Sequence, residues 1–219
     1  MKKKTILSAA LALSMAAILA VGGSLAYFTD NDAKDNVFTM GNVDIRLDEV
    51  FEQNSKLYPG EEKDAVTKEV DVTNTGSEDA YVRVQIAVPT ALDENEYIQL
   101  VKNEEKWDWE NSTYQTAIDG LDYNVYVATY KDVLKTNEQT AEPAITAVYM
   151  DKKVTNEILN ELEAANVITA SENDAARSLN IRVMAEGVQK AGFDTAAEAF
   201  KAALPYDGAS NPFIGYSNL

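Results

Sequence analysis

Ala80-Tyr81-Val82-Arg83-Val84-Gln85-Ile86-Ala87-Val88 is the stretch on which the reading of the fold turns. Val82, Val84, Ile86 and Val88 fall on one side of an extended chain. Tyr81, Arg83, Gln85 and Ala87 fall on the other, the period of two that marks a strand. Pro89 ends the run, because proline has no N–H to give to a sheet. Just upstream, Val66 to Thr73 places Val70 and Val72 inward, and Asn74-Thr75-Gly76-Ser77 separates the two runs. Two such runs around an Asn/Gly loop predict an antiparallel hairpin.

The same alternation extends outward. Val37 to Val50 sets Val43, Ile45 and Leu47 against Asp44, Arg46 and Asp48. Leu57-Tyr58-Pro59-Gly60 is a turn signal, with Pro presetting one corner and Gly accepting positive φ at the next. Lys106 to Glu110 alternates around Trp107 and Trp109. Asp122 to Lys131 puts Tyr123, Val125, Val127 and Thr129 on one face and Tyr126 and Tyr130 on the other. Pro143 opens a short strand over Ala144 to Asp151, and Leu179, Ile181, Val183 and Ala185 form the last ladder. Seven or eight strands with Gly, Pro and Asn turns predict a mainly β protein, a two-sheet antiparallel sandwich. One or two short peripheral helices are expected. Asn156 to Asn166 gathers Ile158, Leu159 and Leu162 on one face behind an N-cap at Thr155. Thr195 to Leu204 starts with capping-box spacing, Thr195 and Glu198. Residues 206–219 read as a flexible tail, rich in Gly, Asn and Ser.

The N-terminus reads as an address. Lys2, Lys3 and Lys4 precede an apolar run from Ile6 to Val21, and Ser24-Leu25-Ala26 offers small residues to a signal peptidase. Cleavage is expected between Ala26 and Tyr27, after a signal-peptide helix over 1–26. The run is short for a bilayer span, which needs about 20 residues. A single domain over 27–205 follows, with no stable membrane span after cleavage. The full chain of 219 residues carries 36 acidic and 19 basic side chains, a net charge of -17. Removing the leader takes away three lysines and no acid, so 193 residues remain with a charge of -20.

Composition excludes whole classes of chemistry. There is no cysteine and no histidine. Disulfides, Cys/His zinc sites, and triads or dyads that need His or Cys cannot be built. So strong a negative charge, with no basic cluster beyond the leader, speaks against nucleic acid. Asp30, Asp32 and Asp35 suggest a calcium loop, but Lys34 and Asp35 occupy the places where an EF-hand wants an oxygen ligand and Gly, so a solvated acidic loop is the expectation. Glu61-Glu62-Lys63-Asp64 reads as a charged loop. A carboxylate pair for glycoside hydrolysis is certain by chance among 36 acids, and sequence selects none. Trp107, Trp109 and Tyr114 could stack on sugar rings, although alternating aromatics more often divide between core and surface. Tyr81, Tyr123, Tyr126 and Tyr130 are expected to pack across strands. Leu204-Pro205-Tyr206-Asp207-Gly208 lacks the Thr, apolar span and basic tail of a sortase signal.

Leu25-Ala26-Tyr27-Phe28-Thr29-Asp30 followed by Asn36-Val37-Phe38-Thr39-Met40-Gly41-Asn42-Val43-Asp44-Ile45 resembles the start of TasA/camelysin-type proteins. Pro59-Gly60, Asn74-Thr75-Gly76, Tyr81-Val82-Arg83-Val84 and Ala191-Gly192-Phe193-Asp194-Thr195-Ala196 also resemble family positions. The resemblance implies a jelly-roll sandwich and an exported Gram-positive protein, processed by a signal peptidase of the SipW type at Ser24, Ala26 and Tyr27. It further implies a structural protein of the extracellular biofilm matrix. Fibres would form by donor-strand exchange, with Tyr27, Phe28, Val37 and Phe38 anchoring a strand in the neighbouring copy. Partners would be further copies of the chain or other matrix proteins. The family's metalloprotease label transfers no residue, since the chain has no His; no enzyme activity, cofactor or metal is expected. A non-enzymatic secreted module that binds polysaccharide or a matrix protein is the alternative. The charge predicts that any polymerisation is favoured by salt or lower pH.

Overall fold

Alternation becomes twelve strands in the computed structural model, which describes residues 42–51, 56–109, 114–170, 177–203 and 213. They are β1 (Ile45–Phe51), β2 (Pro59–Gly60), β3 (Val66–Asn74), β4 (Ala80–Pro89), β5 (Ile98–Lys102), β6 (Trp107–Trp109), β7 (Tyr114–Ile118), β8 (Leu121–Tyr130), β9 (Ile145–Asp151), β10 (Thr169–Ala170), β11 (Arg177–Ser178) and β12 (Arg182–Gln189). Three short helices, α1 (Thr90–Asp93), α2 (Asn156–Ala164) and α3 (Ala196–Ala203), accompany them. One sheet runs β1-β3-β9, with β2 and β5 also paired to β9. A second runs β12-β4-β8, with β6 and β7 sharing the far side of β8, and β10 and β11 form a separate two-stranded ribbon. All pairs are antiparallel except β2 with β9. The fold is therefore the expected mainly β, two-sheet sandwich.

The core lies between the sheets. Val70 and Val72 of β3 and Val82, Val84 and Ile86 of β4 are fully buried, together with Ile145 of β9. Burying each such side chain contributes about 1.5–3 kcal/mol. Along one side of the sandwich β12 meets β1: a Cβ on Gly187 would stand 2.9 Å from Ile45 Cγ2, so only glycine lets these edges approach.

The expected hairpin of β3 and β4 does not form. The two strands lie in different sheets, because their edges are already committed. β4 pairs with β12 and β8. β3 pairs with β1, and beyond β9 its carbonyls accept from Ala144 and Thr140. Asn74 makes the crossing possible. It is fully buried; its Nδ2 donates to Glu78 O (2.8 Å) and Leu134 O (3.1 Å), and its Oδ1 accepts from Gly76 N (3.0 Å). The returning arch over 131–144 runs beside it, with Ala80 and Leu134 exchanging backbone hydrogen bonds at 2.9 Å.

Pro59 and Gly60 also depart from expectation. They are extended and pair in parallel with Met150 and Asp151, and the chain turns one step later, in the single 3-10 turn of Glu62–Asp64. Pro suits this short edge because it needs no donor there. Gly60 is needed for space, since a Cβ would come within 2.8 Å of Asp64 Oδ2. α2 and α3 form where local signals placed them, while α1 was not expected. Thr155 Oγ1 accepts from Ile158 N at 3.3 Å. Thr195 Oγ1 accepts from Glu198 N at 3.2 Å, while Glu198 Oε2 reaches back to Asp194 N at 3.3 Å, one residue beyond the usual box. α3 is not a bare surface helix: Ala199 and Phe200 are buried against Tyr81 and Val188 on the outer face of the second sheet. Most of the tail lies outside the described residues. Its one described residue, Phe213, is buried with Ala87, Ile118, Tyr123, Val125 and Met184.

Two stability tests follow from these contacts. A methyl on Gly76 would press on Asn42 O and stand 2.6 Å from Asp44 N, both backbone atoms that cannot swing away. Gly76→Ala is expected to cost about 1–3 kcal/mol in urea unfolding, whereas a methyl at Gly120 meets nothing and brings only the strain of φ +83°. Asp71 stands directly opposite Asp48 across β3 and β1. Burial, and then the nearby Glu69 and Asp48, raise its carboxyl above the usual range, against the opposing hydrogen bond from Thr140. A carboxyl raised by folding favours the native state at low pH and loses that contribution as pH rises through its folded value. Asp71→Asn should therefore be more stable than the parent near neutrality, with the advantage vanishing at acid pH in paired thermal melts.

Candidate functional site

Opposite the Gly187 seam, the first sheet ends at β5 among the described residues. β5 pairs with β9 from Met150 to Ile145, so β2 and β3, which also pair with β9 near Met150 and Val148, must occupy its other edge. The outer edge of β5 has no strand partner among the described residues. Asp151 N donates to Tyr97 O, which assigns the main-chain groups of Tyr97, Gln99 and Val101 to β9. Past a register shift at Val101/Lys102, Asn103 N again donates to β9's side at Ala144 O, so alternation turns those of Ile98, Leu100 and Lys102 the other way. All five β5 residues line a cleft of about 350 Å³, with Tyr126, Tyr149 and the carboxylates of Glu62, Asp93 and Glu104 around it. Five consecutive lining residues are what a strand presents edge-on.

Ile98, Leu100 and Lys102 share the inward face. Ile98 is 2 % exposed and Leu100 packs on the core. Lys102 ends the row half-buried, its Nζ 3.8 Å from the ring centre of Tyr126 and 5.1 Å from that of Trp109. Such contacts favour a cation, more so where water is excluded. Among the described residues Lys102 has no carboxylate within ion-pair distance. Burial lowers its pKa, partly offset by the more distant Asp93 and Glu104.

The floor of the cleft is rigid. Tyr126 Oη donates to Asp93 Oδ1 (2.6 Å) and Asn124 Nδ2 to Asp93 Oδ2 (2.7 Å). Asn124 Oδ1 accepts in turn from Gln115 Nε2 (3.0 Å) and Thr90 Oγ1 (3.3 Å). Asp93 is thus satisfied by neutral donors. Burial, and then the adjacent Asp93, push the Tyr126 hydroxyl far above its ordinary pKa, so it stays a donor. Trp109 is held by a bond from its Nε1 to Asn103 O at 3.1 Å. A wider depression beside α3, about 590 Å³ and lined by Phe193 and Lys201, offers less, since its Glu198 belongs to the helix cap.

The residues singled out for cleavage and strand donation, Ser24, Ala26, Tyr27, Phe28, Val37 and Phe38, lie outside the described residues, as do Asp30, Asp32 and Asp35. The aromatic triad does not form a sugar platform. Trp107 is fully buried, its Nε1 bonded to Glu142 O (2.9 Å), and Tyr114 Oη donates to Gln85 Oε1. Only Trp109 borders the cleft region, through Lys102. Sequence reading missed Lys102, Asp93 and Asn124. The signal available was the brief alternation Ile98-Gln99-Leu100-Val101-Lys102, too short to separate from a loop.

A family model described as camelysin metallo-endopeptidase matches residues 1–165, well over half of the 219, and the chain belongs to that family. No curated protein matches the chain. Membership points to an exported, matrix-related protein. No helix among the described residues is long and apolar enough to cross a membrane. The description implies a metal, and the described residues do not fit one. The chain has neither His nor Cys, and no three Asp or Glu among the described residues converge in a way that could hold an ion.

Tyr126→Phe would leave Asp93 Oδ1 without this donor. A loss of about 1–2 kcal/mol is expected in chemical unfolding; Tyr58→Phe, at a side chain 67 % exposed, should change little.

Proposed function

We propose that this camelysin-family protein is a secreted structural subunit of an extracellular biofilm matrix, and that copies join by strand addition. The segment freed when a SipW-type peptidase removes the leader, anchored by Tyr27, Phe28, Val37 and Phe38, would lie along β5 of the next copy. The observation that supports this reading is the β5 edge, which has no strand partner among the described residues and whose five residues line a cleft beside core side chains. Strand addition draws its affinity from main-chain hydrogen bonds and its register from pockets for alternate side chains. A donor at one end and an acceptor edge elsewhere make a head-to-tail contact, which propagates as a filament when it does not close into a ring. Before processing the leader blocks the donor end, so cleavage licenses assembly.

The reading is non-enzymatic. A chain without His or Cys offers no nucleophile–base pair of the common kinds, and the open cleft is furnished with a strand edge.

Electron microscopy of the mature protein, residues 27–219, tests the proposal against a variant lacking residues 27–36. The mature protein should form long uniform filaments and the variant should stay monomeric. Identical fibres from both would refute strand donation, and a strictly monomeric mature protein that is retarded on a polysaccharide column would replace it with a binding module.

A further inference from the structure

Lys102 is a desolvated cation at an edge where another chain is expected to dock. Leaving a charge half-buried and unpaired is unfavourable, and an incoming carboxylate would relieve it. The cleft's own acids reach it only from beyond ion-pair distance. Asp93 is turned toward Tyr126 Oη and Asn124 Nδ2, and Glu104 acts on Lys102 only at a distance. A strand added to β5 places its inward side chains opposite Ile98, Leu100 and Lys102 in turn, since directly opposed residues of paired strands share a face. The complementary pattern is therefore an acid followed, at steps of two, by side chains that tolerate an apolar wall.

The segment preceding Asn42 contains three aspartates. Asp30 is followed two residues on by Asp32, and Asp32 by Lys34, either of which would set a charge against Leu100. Asp35 alone is followed by an apolar side chain, Val37, and then by Thr39. Resting on the strand-addition reading above, we infer that the segment of a second copy docks antiparallel to β5 with Asp35 opposite Lys102, Val37 opposite Leu100 and Thr39 opposite Ile98. Those three are the β5 residues whose main-chain groups point outward, so each pair closes by backbone hydrogen bonds. Phe38 then falls opposite Gln99 on the outer face, beside Tyr149, which pairs with Gln99 from the other side. Lys34 falls opposite Asn103, next to Glu104, and offsets the negative charge that Asp35 brings into an acidic cleft. The acidic run that fits a plain strand poorly becomes the element that fixes register. Asn36, Phe38 and Met40 could present a more apolar row one step over, but that register leaves Lys102 facing an amide.

Charge exchange in the mature protein tests the pairing, with elongation followed by light scattering and filaments checked by electron microscopy. Lys102→Glu and Asp35→Lys should each slow elongation by at least about tenfold, the scale of losing a close charge pair at an interface. The double variant should recover to within a few-fold of the parent. Lys102→Met separates this role from a structural one: it should lose assembly while the monomer melts no lower than the parent, because a desolvated charge has been removed. Lys102→Glu elongating at the parent rate, or a folded double variant that stays inactive, overturns the inference. If deletion of residues 27–36 abolishes filaments but Lys102→Glu does not, strand addition stands and only this register falls. If that deletion leaves filaments intact, or the mature protein forms none, both fall together.

Discussion

Strand β4 has neither an edge nor a face left for solvent, and most of the architecture follows from that. Its edges are taken by β12 and β8, and its inner row of valines and Ile86 forms the middle of the core. The outer row carries Tyr81, Arg83, Gln85 and Ala87, which requires a second cover. α3 supplies Phe200 over Arg83, 4.3 Å from ring centre to guanidinium carbon, and the tail supplies Phe213 over Ala87. Between these caps runs a polar stripe. Arg83 Nε donates to Glu186 Oε2 at 2.5 Å, Gln85 Nε2 donates to the same oxygen at 2.7 Å, and Tyr114 Oη closes onto Gln85. A buried ion pair contributes little net stability over an apolar equivalent, but removing one partner is costly. The stripe therefore fixes how β12, β4 and β7 sit together more than how strongly they do.

The two long sides of the sandwich are finished differently. On one, Gly187 lets β12 close against Ile45 of β1. On the other, β5 stops at Lys102 and the chain turns away through Asn103, whose Oδ1 accepts from the backbone N–H groups of Glu105 and Lys106. The aromatic side chains that would be expected to fill the gap are instead tied down: Tyr126 to Asp93, Trp109 to Asn103, Trp107 to Glu142. The floor of the cleft is held by hydrogen bonds, while the row above it is a strand with no neighbour on its outer edge among the described residues.

What could be read from sequence was whatever is encoded within a few residues. Thr155 and Thr195 cap their helices as their spacing requires, and the alternation in 80–88 and 122–131 gives strands because both inner and outer rows extend over several pairs. Partner choice was not readable in the same way. Asn74-Thr75-Gly76 signals a change of direction, but whether the chain folds back or crosses to another sheet depends on Leu134 and Glu138, some 60 positions away. Alternation puts Arg83 and Gln85 on the outer row but cannot name their partner, because Glu186 is 103 and 101 residues distant. Lys102 was invisible for a related reason: its meaning comes from Tyr126 and Trp109 on a different sheet and from a carboxylate that no described residue provides.

An open sheet edge is a hazard as well as an opportunity, and the free edges here are guarded by different means. β1 carries Arg46, Asp48 and Glu49, joined to one another or to Lys68 in ion pairs that resist a foreign strand. An inward-pointing lysine on β5 is the other common guard, since an apolar strand laid beside it would bury the charge unmatched. The net charge of -17 adds long-range repulsion between copies, screened within about 8 Å at physiological salt. Such a barrier excludes non-specific partners without excluding one that brings its own carboxylate to the right place. Aggregation resistance and selective docking then come from the same side chain, which is why a single lysine can be unfavourable to the monomer and still be useful to the protein.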